Sequence, residues 1–305
     1  MTHASLAQAP ALSYRTGVLL VLTAGVLWST VGLGIRLIEN AEVWQILLYR
    51  SASLSPFLFA VLWLRSGGKP FERIRQAGFP AVIAGLSLVA AYAGGIIALQ
   101  STSVANAMLL FASAPFFTAL LGWVVLREHV RKATFVAIAV AIAGIAVMVS
   151  DDMSAGAMTG NLAALGSAFG FAVFTVALRW GKTSDMMPSV FLSGLFAIAI
   201  TGAICLFKGL PLGLSVNDAS IALTMGVFQV GAGLVLYTLG SKAVPAAELT
   251  LLSMAEVLLG PMWVWLFLGE TAGIYTLIGG AVLLAAIVGN ALSGLRRRPP
   301  AITAP

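Results

Sequence analysis

One carboxylate, Glu256, sits near the middle of the apolar stretch TLLSMAEVLLGPMWVW at positions 250–265. It lies about ten residues into its run, roughly 15 Å by helical rise, which is close to a bilayer midplane. Ionised and facing lipid at that depth, it would cost several kcal/mol, so it must face the bundle interior, be paired or be protonated. Two readings stay open. Either Glu256 is a cavity group that touches a bound ammonium or takes up a proton, or it is a structural carboxylate capped by neighbouring Ser or Trp donors. Arg50, in LLYRSASLSP, is the other charge within an apolar run. Its guanidinium is always charged and fits a carboxylate bidentately, which allows a clamp on an acidic guest. The favoured reading is a snorkelling or helix–helix contact, with Glu39 or Glu42 as partners.

Trp28, Tyr92, Phe171 and Tyr237 fall mid-run in four separate apolar segments, where rings with polar tips suit an amphipathic guest or serve as ordinary bundle packing. Asn106 and Gln229 add amides within such runs, whose usual work is interhelical hydrogen bonding. Gly94 with Gly95, Pro115, Gly231 with Gly233, and Gly260 with Pro261 interrupt four runs and read as hinges, with close helix packing as the alternative. Gly166 and Gly170 form a GxxxG-type surface. Glu128 and Glu270 close two runs and read as structural end groups. The histidines, His3 and His129, are isolated, so no metal site is expected, and the single Cys205 excludes an intrachain disulfide. No cofactor and no enzyme chemistry is expected.

The elements that must position these groups follow from composition. Of 305 residues, 60% are hydrophobic and 9% charged, against about 45–50% and about 25% in a soluble domain. Apolar runs of about 20 residues span the hydrocarbon core as helices. Ten such spans are predicted: Thr16–Ile38, Val43–Leu64, Gly78–Leu99, Ser103–Val125, Ala133–Val149, Thr159–Trp180, Ser189–Phe207, Ala219–Leu239, Ala246–Leu268 and Gly273–Leu292. The third and fourth are divided at the polar turn QSTS, Gln100–Ser103. No cleavable signal peptide is expected, because the first run is long enough to span.

Cations orient the spans. With the N-terminus inside, cytoplasmic segments hold Arg15, Arg65, Lys69, Arg73, Arg75, Arg127, Arg131, Lys132, Arg179, Lys182, Lys242, Arg296, Arg297 and Arg298, 14 of the 17. The outer side keeps Arg36 and Lys208, with Asp151 and Asp152 in the loop after the fifth span. Both termini are predicted cytoplasmic in a bacterial-type inner membrane. The net charge of +6 follows this pattern rather than a nucleic-acid surface.

Shifting the chain by 142 residues lays WVVLRE, Trp123–Glu128, over WLFLGE, Trp265–Glu270, with Thr134 over Thr276. An odd number of spans per half places the second half upside down, an inverted repeat of the kind transporters use around a midplane site. The predicted organisation is a 1–15 tail, repeats at 16–149 and 159–292 joined by an outer loop at 150–158, and a basic 293–305 tail. The fold class is all-α integral membrane, ten helices as two inverted five-helix repeats around a central cavity.

LWSTVGLGIR in the first span, LLYRSASL in the second, APFFTALLGWVVLRE in the fourth and its echo MAEVLLGPMWVWLFLGE in the ninth resemble, in order and spacing, the ten-helix EamA-type members of the drug/metabolite transporter superfamily. The resemblance covers Val18 to Leu292 and is nearest the amino-acid exporter branch, including the aromatic amino-acid exporters. It implies a cavity lined mainly by the first, third, fourth, sixth, eighth and ninth spans. It also implies export of amino acids or similar small amphipathic metabolites by alternating access, with drugs or nucleotide-linked sugars as the alternative cargo. The implied partners are a small-molecule substrate and the lipid bilayer, and a monomer suffices. Two departures stand out. The first span has no acid, so the proton-exchange Glu of the small multidrug branch has no counterpart there. Glu256 is followed by Val257 where the family often has Glu-Pro, with Pro261 further on. A lipid-handling scaffold or membrane enzyme remains the reading from another class.

Overall fold

The computed structural model describes residues 13–150, 153–181, 185, 187–241, 243–244 and 246–295, with side chains omitted at 246–251, 253, 254, 294 and 295. His3, Asp151, Asp152, Lys182, Lys242, Arg296, Arg297 and Arg298 lie outside the described residues. Among the described residues the regular structure is entirely helical.

The first span is two pieces, α1 (Tyr14–Ser29) and α2 (Val31–Arg36). The second is α3 (Val43–Arg65), the third α4 (Pro70–Ser101). The fourth is again two pieces, α5 (Val104–Phe111) and α6 (Ala114–Leu126), followed by α7 (Lys132–Val149) as the fifth. The second half holds α8 (Ala155–Trp180) and α9 (Met187–Phe207). Its third member is α10 (Val216–Thr224), a π-helix (Met225–Ala232) and α11 (Gly233–Gly240) in one line. It ends with α12 (Ala246–Leu268) and α13 (Ile274–Leu295). Nine described segments are long and apolar enough to cross a membrane, and α12 is the tenth span, so the chain is a multi-pass membrane protein.

The third span starts at Gly78, as predicted, but a further helix precedes it within α4. FERIRQA, rich in charge, reads as a loop by hydropathy, yet it forms helix from Pro70, whose fixed φ suits a first turn. A break follows at Gly78, whose φ of 62° and ψ of −162° only glycine adopts readily, just ahead of Pro80.

Packing between the halves has a two-fold pattern. α1 lies on α12 and α11, and its counterpart α8 lies on α6, α5 and α4; α3 packs on α9, and α7 on α13. Five spans per repeat make the second repeat the inverted copy of the first. Core residues Ile46, Leu47, Ile96, Leu99, Leu110 and Met148 knit the larger cluster, while Leu54, Leu58, Leu88, Phe174 and Phe191 form a smaller one.

The α7–α13 seam is backbone on backbone. A Cβ added at Gly144 would lie 2.7 Å from the Gly279 carbonyl oxygen, and one at Gly279 would meet the Gly144 carbonyl and the Met148 amide. Small residues let membrane helices approach this closely. Gly279→Val is expected to cost about 1–3 kcal/mol through overpacking and to lower the melting temperature of the detergent-solubilised protein. An unchanged melting temperature would show that this seam is looser than described.

Candidate functional site

The first span breaks beside Trp28, and the cause is local. Ser29 and Thr30 send their hydroxyls back to the carbonyls of Val26 and Leu27, each at 2.7 Å. Such back-bonding competes with the helical ladder. The Thr30 amide tightens onto Leu27 O at 3.3 Å, and the ladder resumes at Gly34 N to Thr30 O, 2.9 Å. Two side chains from the other repeat brace the break. Gln229 Nε2 donates to the Trp28 carbonyl at 3.4 Å, and Trp263 Nε1 donates to Ser29 Oγ at 2.8 Å.

The eighth span reaches this point through its π-helix, a wide turn frequent at functional sites. Gly233 sits so close to the first span that an added Cβ would meet the Trp28 indole nitrogen. That approach brings the Tyr237 ring to 5.3 Å from the Trp28 ring, tilted by 40°. Trp28, Gln229 and Tyr237, predicted separately from sequence, are therefore one cluster. Gln229 is buried, and its Oε1 has no hydrogen-bond partner among the described residues.

Glu256 lies at the same level. The two helices run alongside each other, with Ala255 against Gly25 and Gly260 against Met108 and the Ser29 carbonyl. Glu256 thus falls between the heights of Gly25 and Ser29 on the first span. It is half-buried and has no hydrogen-bond or ion-pair partner among the described residues. Of the Ser or Trp donors that the structural reading would use, Trp263 donates to Ser29 instead.

The other predicted groups fall elsewhere. Arg50 does not snorkel but makes a helix–helix contact, the other alternative, with an unexpected partner. It is buried, its guanidinium carbon lies 4.5 Å from the Tyr92 ring centre, and Glu42 pairs with Lys208 at 3.1 Å instead. A cation over an aromatic face recovers about 0.5–2 kcal/mol, while Arg50 Nη2 keeps no hydrogen-bond partner among the described residues. Tyr92 is taken up by that contact and by Ser193, so it faces the second and seventh spans. Asn106 joins Asn161 across the fourth and sixth spans and also donates to Thr102 Oγ1 at 3.2 Å. Phe171 is 48% exposed, its ring 5.6 Å from Phe174.

The hinge residues divide. Pro115 follows a break at Ala112–Ser113 in the fourth span, Gly231 lies within the π-helix and Gly233 follows its end. Gly94 and Gly95 do not interrupt α4, which runs through them. An added Cβ at Gly94 would lie 2.9 Å from the Ala163 carbonyl, so close packing on α8 explains that position. Gly260 and Pro261 likewise sit within an unbroken α12. Gly166 faces open space while Gly170 packs on Ser87 and Ala91, so the two do not act as one surface.

Ser29, Trp263 and the π-helix were not singled out from sequence. The one signal for the first was the adjacent hydroxyl pair in LWST. Among the described residues no three His, Cys, Asp or Glu converge on a metal site. A separate pocket of about 450 Å³, lined by His129, Arg131, Lys132, Ala133 and Ser293, holds none of the cluster residues. The cluster offers two rings and a helix break, with the unpartnered Glu256 at the same level on the neighbouring ninth span, groups of the kind that hold an amphipathic guest.

One family model matches most of the chain. The model of the EamA-like transporter family matches residues 15–150 and 158–292. An uncharacterized transporter of Archaeoglobus fulgidus is 28% identical over 195 residues, 63% of this chain and 69% of its own length. Another, from Methanothermobacter thermautotrophicus, is 26% identical over 198 residues, 62% of this chain and 57% of its own. The uncharacterized transporter YwfM of Bacillus subtilis strain 168 is 25% identical over 195 residues, 63% and 66% of the two lengths. A solved crystal structure superposes with a TM-score of 0.66 over 94% of this chain and 100% of its own, at 20% identity, a likeness of fold.

Proposed function

The chain belongs to the EamA-like transporter family, and on that premise we propose that it exports amino acids or similar small amphipathic metabolites from the cytoplasm by alternating access. The observation that carries this reading is the break in the first span at Trp28–Thr30, braced by Gln229 and Trp263, with the unpartnered Glu256 at the same level on the ninth span. Discontinuous helices near the midplane are where transporters of inverted-repeat design hold their cargo. The guest's ammonium lies on the Glu256 carboxylate, and its apolar body lies against Trp28 and Tyr237. The membrane is an inner membrane, and the cation-rich ends of the spans, with both termini, face the cytoplasm. One copy contains the whole site.

The test is efflux from proteoliposomes preloaded in turn with labelled amino acids, a cationic drug and a nucleotide-linked sugar. Saturable efflux of one or more amino acids is the expected result. No amino-acid flux across a broad panel removes this reading, and flux of the drug or sugar alone replaces it with the alternative cargo.

A further inference from the structure

Among the described residues three ion pairs join the repeats, and two of them, one at each end of the bundle, are related by the internal symmetry; the third, Lys208–Glu42, has no such counterpart. At one end Arg36, closing the first span, holds Glu270, just past the ninth: Nε to Oε2 is 2.8 Å and Nη2 to Oε1 is 3.3 Å. At the opposite end Arg179, near the close of the sixth span, holds Glu128, just past the fourth, with Nη2 to Oε2 at 2.5 Å. The first span corresponds to the sixth and the fourth to the ninth, so each pair crosses from one repeat to the other.

The backbone beneath the two acids is also shared. Glu128 follows Arg127, the one non-glycine residue with positive φ among those described, at 55°; Glu270 follows Gly269, at 69°. In both, the left-handed residue turns the chain past the helix end. The next amide then folds back: Glu128 N to Gly122 O at 3.1 Å, Glu270 N to Val264 O at 3.3 Å. All three positions match at the 142-residue shift. A left-handed arginine is costly for an ordinary side chain, and this one aims Glu128 at Arg179. Gly122 gives that pair its seat, since a Cβ there would lie 2.8 Å from Glu128 Oε2.

We propose that Arg36–Glu270 and Arg179–Glu128 are the two latches of the transport cycle, one closing each end of the pathway and opened in alternation. This rests on the alternating-access reading above. Both are shut in this conformation. They are unequal: Arg36 Nη2 also donates to Thr102 O at 2.8 Å, and Glu270 Oε1 also accepts from Val104 N at 2.7 Å, tying in the turn between the third and fourth spans. The Glu128 pair has no such reinforcement among the described residues, and its side chains are more exposed, 47% and 36% against 26% and 23%. Exposed pairs hold weakly and partly buried, multiply bonded ones hold better. The Arg179 end, cytoplasmic in the proposed orientation, therefore opens first, as an exporter that loads from the cytoplasm requires.

The test is amide hydrogen exchange by mass spectrometry on the full chain in lipid nanodiscs, with counterflow measured on the same variants. Glu270→Gln is expected to raise exchange at 102–106 and 268–274 by about tenfold and to lower it at 126–131 and 178–181, a shift of the size one charge-assisted contact gives. Glu128→Gln is expected to do the reverse, by less. The double variant Glu128→Gln/Glu270→Gln rebalances the ends and moves cargo faster than Glu270→Gln alone. The swapped pair Arg36→Glu/Glu270→Arg returns exchange toward wild type and serves if Glu270→Gln folds poorly. Exchange that rises at both ends, or at neither, in the single variants overturns the proposal, as does a double variant slower than both singles. Reciprocal exchange with no amino-acid flux removes the export reading and leaves the latches standing. Flux without reciprocal exchange removes the latches alone.

Discussion

Glu256→Gln is expected to lower the initial rate of transport by about tenfold or more while leaving the protein folded. The amide keeps the shape of the carboxylate and removes its charge. A hydrogen bond to a charged group contributes about 1.5–3 kcal/mol, which is about tenfold to a hundredfold in binding. No neighbouring side chain depends on Glu256 among the described residues, so the loss falls on the guest and not on the bundle. The check is initial efflux rate and melting temperature on matched proteoliposome and detergent samples. A wild-type rate with a lowered melting temperature would make Glu256 a brace. The same pair of proteins under an imposed pH gradient separates two forms of transport. If Glu256 carries the proton, the gradient drives wild type and has no effect on Glu256→Gln.

Gly233→Val is expected to abolish transport by closing the approach between the first and eighth spans. An added Cβ meets the Trp28 indole, which also packs against the Tyr237 ring. Either the indole swings into the space the guest needs or the eighth span moves off, losing the Gln229 bond to the Trp28 carbonyl. Overpacking of this kind costs about 1–3 kcal/mol. Trimming the neighbour relieves it, so Trp28→Phe in a Gly233→Ala background is expected to recover more activity than Gly233→Ala alone. Equal rates in Gly233→Val and wild type would mean that the two spans are apart during transport and that the ring pair is incidental.

The spans were legible because each is an apolar run of bilayer length ended by charge or by a polar turn. QSTS does divide the third span from the fourth, and α12 has the predicted bounds, Ala246–Leu268. The Glu128–Glu270 echo was visible as spacing. What each acid holds was not, because Arg179 is 51 residues from Glu128 and Arg36 is 234 from Glu270, separations that only the fold closes. The break at Ser29–Thr30 was missed since a hydroxyl pair within an apolar helix is ordinarily silent, and the braces from Gln229 and Trp263 come from the other repeat. The π-helix at MGVFQVGA has no local signature either; the backbone of Arg50 and the ring of Phe57 crowd Gly226 and Gly231 there. Of the two alternatives for Arg50, snorkelling and a helix–helix contact, the structure has the second, but its partner is the Tyr92 ring one helix away rather than Glu39 or Glu42, which sequence spacing could not show. Gly94 and Gly95 show the opposite lesson: glycine in a membrane helix more often marks a close neighbour than a bend.

The placement of the site at the first-span break is tested most directly by counterflow of the proposed amino-acid cargo in proteoliposomes, with wild type, Trp28→Ala, Tyr237→Ala and Glu256→Gln measured side by side at equal reconstituted protein. Initial rates about tenfold or more below wild type in all three, with unchanged size-exclusion profiles, are the expected result. Wild-type rates in all three variants would contradict it and place the pathway elsewhere in the bundle.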